Sequence, residues 1–537
     1  MNHIHSSTKE YDAIIVGAGF SGLYQLICLR DQLGLKCVVL ETGDDVGGTW
    51  YWNRYPGARC DTESHAYSYY FSDELLKEWT WSERYPGHEE IREYMNFVAS
   101  KFDLKKDILF KQKVTSAKFI EDSNNWYVTT DNNNFKCKFL ITAVGCLSNT
   151  NIPKIKGLEN FEGSYYHTGN WPKNGVSFVN KTVGQIGTGS TGIQAVPVIA
   201  AEAKHLTVFQ RTANYSIPAR NKPLTEEFKK QVKENFQYYR DLIKRTPNAH
   251  PFEISDRLVS DVNSVEMNNI YEKAWEKGGL QFRAVFNDLV TNLEANNTAS
   301  DFIKNKINKT VLNKKFASIL SDIDHPYAGK RPPIDSNYFE TYNRDNVNLI
   351  DLRRDPIKCI NKNGIETEKN YIDLDIIVFA TGYDAMTGPL LNMNIFGKNN
   401  LKLKNVWKEG PKTFLGLQIP GFPNLFTITG PGSPSVLTNM PMAIEQHVEW
   451  IRDCISFMIK KEYTTIEASS NLAKKWGEEV NRVANKTLLP SVKHSWYLGA
   501  NIPGKPRVFM PYAGGLPRYS KICDDVKKNN FEDFILA

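Results

Sequence analysis

The chain alternates short, uninterrupted apolar runs with longer stretches of mixed polarity. Tyr11–Val16, Lys36–Leu40, Phe139–Val144, Lys181–Ile186, His205–Gln210, Val347–Ile350 and Asp375–Phe379 each read as a brief strand. Continuous apolar runs of this length mark strands covered on both faces, as in parallel sheets between helix layers. From about Leu224 to Asp324 such runs vanish, and segments such as Glu226–Val232 place apolar residues at helical spacing. The pattern predicts an α/β protein with two Rossmann-like dinucleotide-binding units and a helical insertion in the second. The expected divisions are a first unit over 1–144 and a second over 152–218. A helical subdomain over 219–330 follows, then a return to the second unit over 331–380 and completion of the first over 381–537.

Two of the runs end in glycine-rich turns. Gly17-Ala18-Gly19-Phe20-Ser21-Gly22 follows the first, and Gly187-Thr188-Gly189-Ser190-Thr191-Gly192 follows Lys181–Ile186. Each sits between a strand-like and a helix-like segment, the setting in which G-x-G-x-x-G lets backbone approach a pyrophosphate at a helix N-terminus. A step of 24 residues from Gly17 reaches Glu41, and the same step from Gly187 reaches Arg211. A carboxylate there accepts hydrogen bonds from ribose hydroxyls, while an arginine there suits a 2′-phosphate. The pairing points to FAD in the first unit and NADPH in the second.

With 537 residues, 41% hydrophobic, the chain has material for two or three cores. A net charge of only +6, with basic residues scattered among acids, argues against nucleic acid as a partner. The eight cysteines form no C-x-x-C pair, which excludes a redox disulfide of that kind and a four-cysteine metal site. His3 and His5 could touch a metal, but on a polar terminus they are read as bystanders. The polar N-terminus and the lack of a long apolar stretch predict a cytoplasmic protein without a membrane span. A monomer or weak homo-oligomer is expected.

Between the two turns lies Phe161-Glu162-Gly163-Ser164-Tyr165-Tyr166-His167-Thr168-Gly169-Asn170-Trp171-Pro172. By spacing alone this is a structural linker whose histidine satisfies a backbone group. The stretch nevertheless matches F-x-G-x-x-x-H-x-x-x-W-P/D, and the chain here resembles the type I Baeyer–Villiger monooxygenases. A second family signature is matched from Gly47-Gly48-Thr49-Trp50 through Tyr55-Pro56-Gly57 to Asp61, and the likeness extends to Lys493–Gly499. No motif position departs from the pattern, and the phenylacetone and cyclohexanone monooxygenase branch is the most similar.

The resemblance implies a reaction and a set of roles. NADPH reduces the flavin, oxygen adds to form a C4a-peroxide, and its attack on a ketone gives a tetrahedral intermediate that rearranges to an ester or lactone. Lys330-Arg331 would by itself be a surface charge pair; through the resemblance Arg331 becomes the catalytic cation, braced by Asp61. Lys330 would join Arg211 and Thr212 on the 2′-phosphate. Gly48, Thr49, Trp50, Tyr67, Gln194, Ala380, Thr381 and Gly382 complete the cofactor-binding set, with Trp496 on a loop folding over the nicotinamide. Phe161, Gly163, His167 and Trp171 are implied as a motif coupling the domains, and Ser435, Val436 and Leu437 as a border of the ketone pocket. Two alternatives stay open: an N- or S-hydroxylating flavin monooxygenase, and a non-catalytic flavoprotein sensor.

Overall fold

The computed structural model describes residues 8–537, so His3 and His5 lie outside the described residues. The first sheet opens with β1 (Lys9–Val16), β2 (Cys37–Leu40) and β3 (Ile108–Leu109), followed by β4 (Val114–Ile120), β5 (Asn125–Thr130) and β6 (Asn134–Thr142). β1 lies at its centre, parallel to β2 on one side and β6 on the other. Ala13, Ile14 and Ile15 are fully buried, which is why that run carries no polar alternation.

The second sheet begins with β7 (Ser164–His167), β8 (Thr182–Ile186) and β9 (His205–Gln210). The chain then leaves through β10 (Ile217–Pro218) into helices Glu226–Glu234, Phe236–Arg245, Ser264–Lys277, Leu293–Thr310 and Lys314–Ser321. It returns at β11 (Ile334–Asp335), which pairs in parallel with β10 and so pins the exit of the helical excursion to its re-entry. β12 (Val347–Asp351) joins the edge of the second sheet beside β9. A small antiparallel meander, β13 (Ile357–Asn361), β14 (Gly364–Thr367) and β15 (Tyr371–Asp373), precedes β16 (Ile376–Phe379). The second sheet runs β12-β9-β8-β16-β7, all parallel.

The C-terminal stretch goes back to the first sheet. β17 (Ile395–Phe396) pairs with β4, and β18 (Leu425–Thr427) lies parallel to β6. The long helix Met440–Lys460 then covers the helix that follows β1. Each glycine turn therefore leaves the C-terminal end of an interior parallel strand, where open α/β sheets bind their ligands. Among the described residues, no helix is long and apolar enough to cross a membrane.

Candidate active site

The outer glycines of the two turns are required by the protein's own packing. Gly17 and Gly187 have φ of 105° and 109°, and a Cβ on either would lie 2.6 or 2.4 Å from a backbone oxygen, of Ala143 or Ala380. A Cβ on Gly22 or Gly192 would strike the carbonyl of Gly17 or Gly187 at 1.8 or 2.3 Å. The middle glycines differ. Gly189 has nothing within 4 Å, and Gly19 meets only the Gly48 backbone. Both helices start at these middle glycines without a side-chain cap, so their first backbone N–H groups stand ready for an anion.

The charges at the strand ends fit two different nucleotides. Glu41 is buried and accepts from the backbone N–H of Ala18 at 2.7 Å and of Gly43 at 2.6 Å, which fixes its carboxylate beside the first turn. Burial raises its pKa against the pull of those N–H groups. Near it, Phe20, Tyr67 and Trp50 form a buried aromatic cluster, with Trp50 donating to Tyr67 Oη at 3.1 Å. Thr49 is exposed beside Gly48. In the second unit Arg211 is exposed, and Thr212 accepts from Thr188 Oγ1 at 2.9 Å through its carbonyl. Lys330 is held below the ordinary lysine pKa by burial and by the charge of Arg211, against the attraction of Asp324. Two neighbouring cations, one of them destabilised, suit a phosphate between them. The first site thus fits FAD and the second fits NADP.

Arg331 enters where the chain returns from the helical excursion, and meets Asp61 from the first unit. Its Nε and Nη2 donate to Asp61 Oδ2 and Oδ1 at 2.5 and 2.8 Å, and its Nη1 donates to the carbonyl of Val436 at 2.9 Å. Burial works against both charges, but each supports the other: Arg331 lies above its ordinary pKa and Asp61 below. Ser435, in the left-handed region at φ 41°, and buried Val436 sit on this turn, while the carbonyl of Leu437 accepts from Asn248 Nδ2 at 2.6 Å. All of the Arg331, Asp61 and Ser435–Leu437 set therefore converges at one place. His250 lies alongside, its pKa lowered to about 3 by burial and by the charges of Arg331 and Arg283.

Other expected residues take different places. Gln194 is bonded to the first unit: its Oε1 accepts from Tyr55 Oη at 2.7 Å, and its Nε2 donates to the Arg59 carbonyl at 3.1 Å. Both ends of its amide are committed to joining the two units. Ala380 continues the β16 ladder, with its N–H on Ile186, and Thr381 and Gly382 hydrogen-bond to Asn151, between β6 and β7. His167 sits at the seam, its ring 6.0 Å from that of Tyr383, with Nδ1 accepting from Gly169 N–H. Trp171 packs with Tyr166 and Phe178 in the core of the second unit. Phe161 is buried beneath the same sheet, where a Cβ on Gly163 would collide with Asp375 O at 2.4 Å.

Trp496 is half-buried on the C-terminal loop, its ring 4.5 Å from that of buried Tyr497 and tilted against it by 58°. That loop is fastened by Asn501 to the Tyr383 carbonyl at 2.8 Å, and by Lys505 to Asp384 at 2.5 Å and to the Ala385 carbonyl at 2.8 Å. Sequence reasoning missed these two anchors, and also Asn248, His250 and Arg283. None belongs to a spacing pattern, and only the fold brings Asn248, His250 and Arg283 into the neighbourhood of Arg331.

Comparison with known proteins agrees with this geometry. A flavin-binding monooxygenase-like family model matches residues 11–236. Cyclohexanone 1,2-monooxygenase of Acinetobacter sp. is 42% identical over 98% of this chain and 97% of its own. A Baeyer–Villiger monooxygenase of Pseudooceanicola batsensis is also 42% identical, over 98% and 96%. The crystal structure of OTEMO in complex with FAD and NADP superposes with a TM-score of 0.94 at 40% identity, covering 98% of this chain and 99% of that one. A relative from Lysobacter antibioticus, 39% identical over 99% and 98%, is a phenazine N-monooxygenase. With full-length identity of this order to Baeyer–Villiger enzymes and two sites built for FAD and NADP, the chain belongs to the Baeyer–Villiger monooxygenase family of flavoproteins.

Proposed function

We propose that this enzyme inserts one oxygen atom of O2 beside a ketone carbonyl to give an ester or lactone, with Arg331 as the catalytic cation and Asp61 as its positioning partner. When bound, FAD reduced by NADPH supplies the activated oxygen. One observation carries the reading. The guanidinium has five N–H donors, and three are spent on Asp61 and Val436, which leaves two for negative charge that develops on a substrate oxygen. Because Arg331 stays protonated and is fixed in advance, it stabilises that charge with little reorganisation. Ser435–Leu437 border the ketone, Arg211 and Lys330 hold the 2′-phosphate, and the loop carrying Trp496 excludes water over the nicotinamide.

Arg331, Asp61 and both cofactor turns come from one chain, so a monomer holds a complete site. The eight cysteines are free thiols, as a reducing compartment such as the cytoplasm keeps them. Cyclic and small linear ketones are the substrates we expect. N-oxygenation is the second reading, favoured by the phenazine-oxidising relative. Incubating the holoenzyme with NADPH, O2 and cyclohexanone, acetone, phenylacetone or phenazine separates the two. Ester from any of the ketones supports the first reading, whereas N-oxide with no ester supports the second.

A further inference from the structure

A second guanidinium lies in the same neighbourhood and has no acid to balance it. Arg283, on the turn Leu280–Ala284, lines a small, partly open cleft together with Asn248, His250, Phe252 and Leu280. Its Nη2 donates to Asn248 Oδ1 at 2.7 Å. Asn248 in turn donates through Nδ2 to the Leu437 carbonyl, one peptide unit from the Val436 carbonyl that receives Arg331. Arg283 is thus tied to the border of the ketone pocket by a short chain of hydrogen bonds.

The charge around it is unmatched. Among the described residues no carboxylate lies within ion-pair distance of Arg283. Asp61 is engaged by Arg331, and Glu63 by Arg84 at 2.6 Å; neither pairs with Arg283. Burial and the charge of Arg331 both disfavour the protonated form of Arg283, with the hydroxyls of Tyr327 and Tyr497 the only opposing influences. A half-buried guanidinium with donors to spare and no acid beside it is placed to take an incoming carboxylate.

We infer that Arg283 recognises a carboxylate carried by the ketone substrate, so that the preferred substrates are oxo-acids with the acid group distal to the reacting carbonyl. Arg331 serves the reacting carbonyl and Arg283 the far end, which fixes which way round the ketone enters. This inference rests on the ketone-oxidising reading above.

The test compares 3-oxocyclohexane-1-carboxylate with its methyl ester, near in size but uncharged, as substrates of the holoenzyme at pH 8. The expected kcat/KM ratio of acid to ester is roughly tenfold or more, the scale of one hydrogen-bonded charge pair. In Arg283→Met the ratio should collapse toward one, and in Arg283→Lys part of it should return. A wild-type ratio of one or less, or a ratio that survives in Arg283→Met, overturns the inference. Equal losses on both substrates in Arg283→Met, with the ratio kept, would make Arg283 a prop for Asn248 and overturn it likewise. Oxygen insertion into neither compound, nor into cyclohexanone, would bring down the ketone reading itself.

Discussion

Arg331 and Asp61 stand 270 residues apart in sequence and share a two-pronged ion pair at 2.5 and 2.8 Å. The pairing closes the helical excursion of the second unit onto the first, and a third hydrogen bond ties both to the Ser435–Leu437 turn. Because Arg331 is protonated with or without its partner, the role proposed for Asp61 is aim rather than ionisation. Asp61→Asn should therefore lower ester formation by about 10- to 100-fold while flavin reduction by NADPH persists. Product analysis under turnover checks this; an unchanged ester yield would remove Asp61 from the site.

Arg211 and Lys330 are the proposed holders of the 2′-phosphate. Arg211→Ala should raise the KM for NADPH by roughly tenfold or more and leave that for NADH nearly unchanged, since only NADPH carries the extra phosphate. Lys330→Met should act in the same direction. Equal changes for both coenzymes would show that neither residue reads the phosphate.

The glycines separate packing from ligand approach. Gly22→Ala places a methyl 1.8 Å from the Gly17 carbonyl and should cost folding and flavin content together. Gly189→Ala meets open space, so its thermal midpoint should match the wild type while NADPH binding weakens. Flavin absorbance and unfolding midpoints measured on both variants decide it, and a destabilised Gly189→Ala would contradict this division.

Stability should fall in mild acid. Buried His447 and His250 have pKa values lowered to about 3, and His167 and His325 to about 4, in each case chiefly by burial. Their unfolded forms take up a proton below about pH 6.5 that the folded forms refuse, so stability is full above that pH and declines below it. At pH 5.5 a group such as His447 costs about 1.4 kcal/mol. His447→Gln, whose amide can still accept from Thr429 N–H, should flatten the drop in thermal midpoint between pH 7.5 and 5.5. An identical drop in wild type and variant would refute this.

Much of the frame was legible in the sequence. The two glycine turns and the opposed charges of Glu41 and Arg211 follow local rules, because one strand, one turn and one helix define each. The helical excursion was legible too, from apolar spacing around Glu226–Val232. Other features were hidden because they are made by distant segments. β18 is only three residues long, and its place beside β6 is set by tertiary packing rather than by its own pattern. The Arg331–Asp61 pair was reached through family resemblance, since nothing near Lys330 distinguishes it from a surface charge. The protein partners of Gln194 and Trp171 were hidden too, because a helix face or a linker motif does not reveal which neighbour will claim the side chain. Arg283 left no trace at all, standing in a helical region where charged residues ordinarily face water.

Arg331 is proposed to carry oxygen transfer to the ketone. The most direct test runs wild type and Arg331→Met on cyclohexanone under 18O2 with NADPH, following lactone by mass spectrometry and hydrogen peroxide in parallel. The account predicts one labelled oxygen atom in the wild-type lactone, and in Arg331→Met continued NADPH oxidation that yields peroxide and no lactone. Labelled lactone from Arg331→Met at an undiminished rate would contradict it.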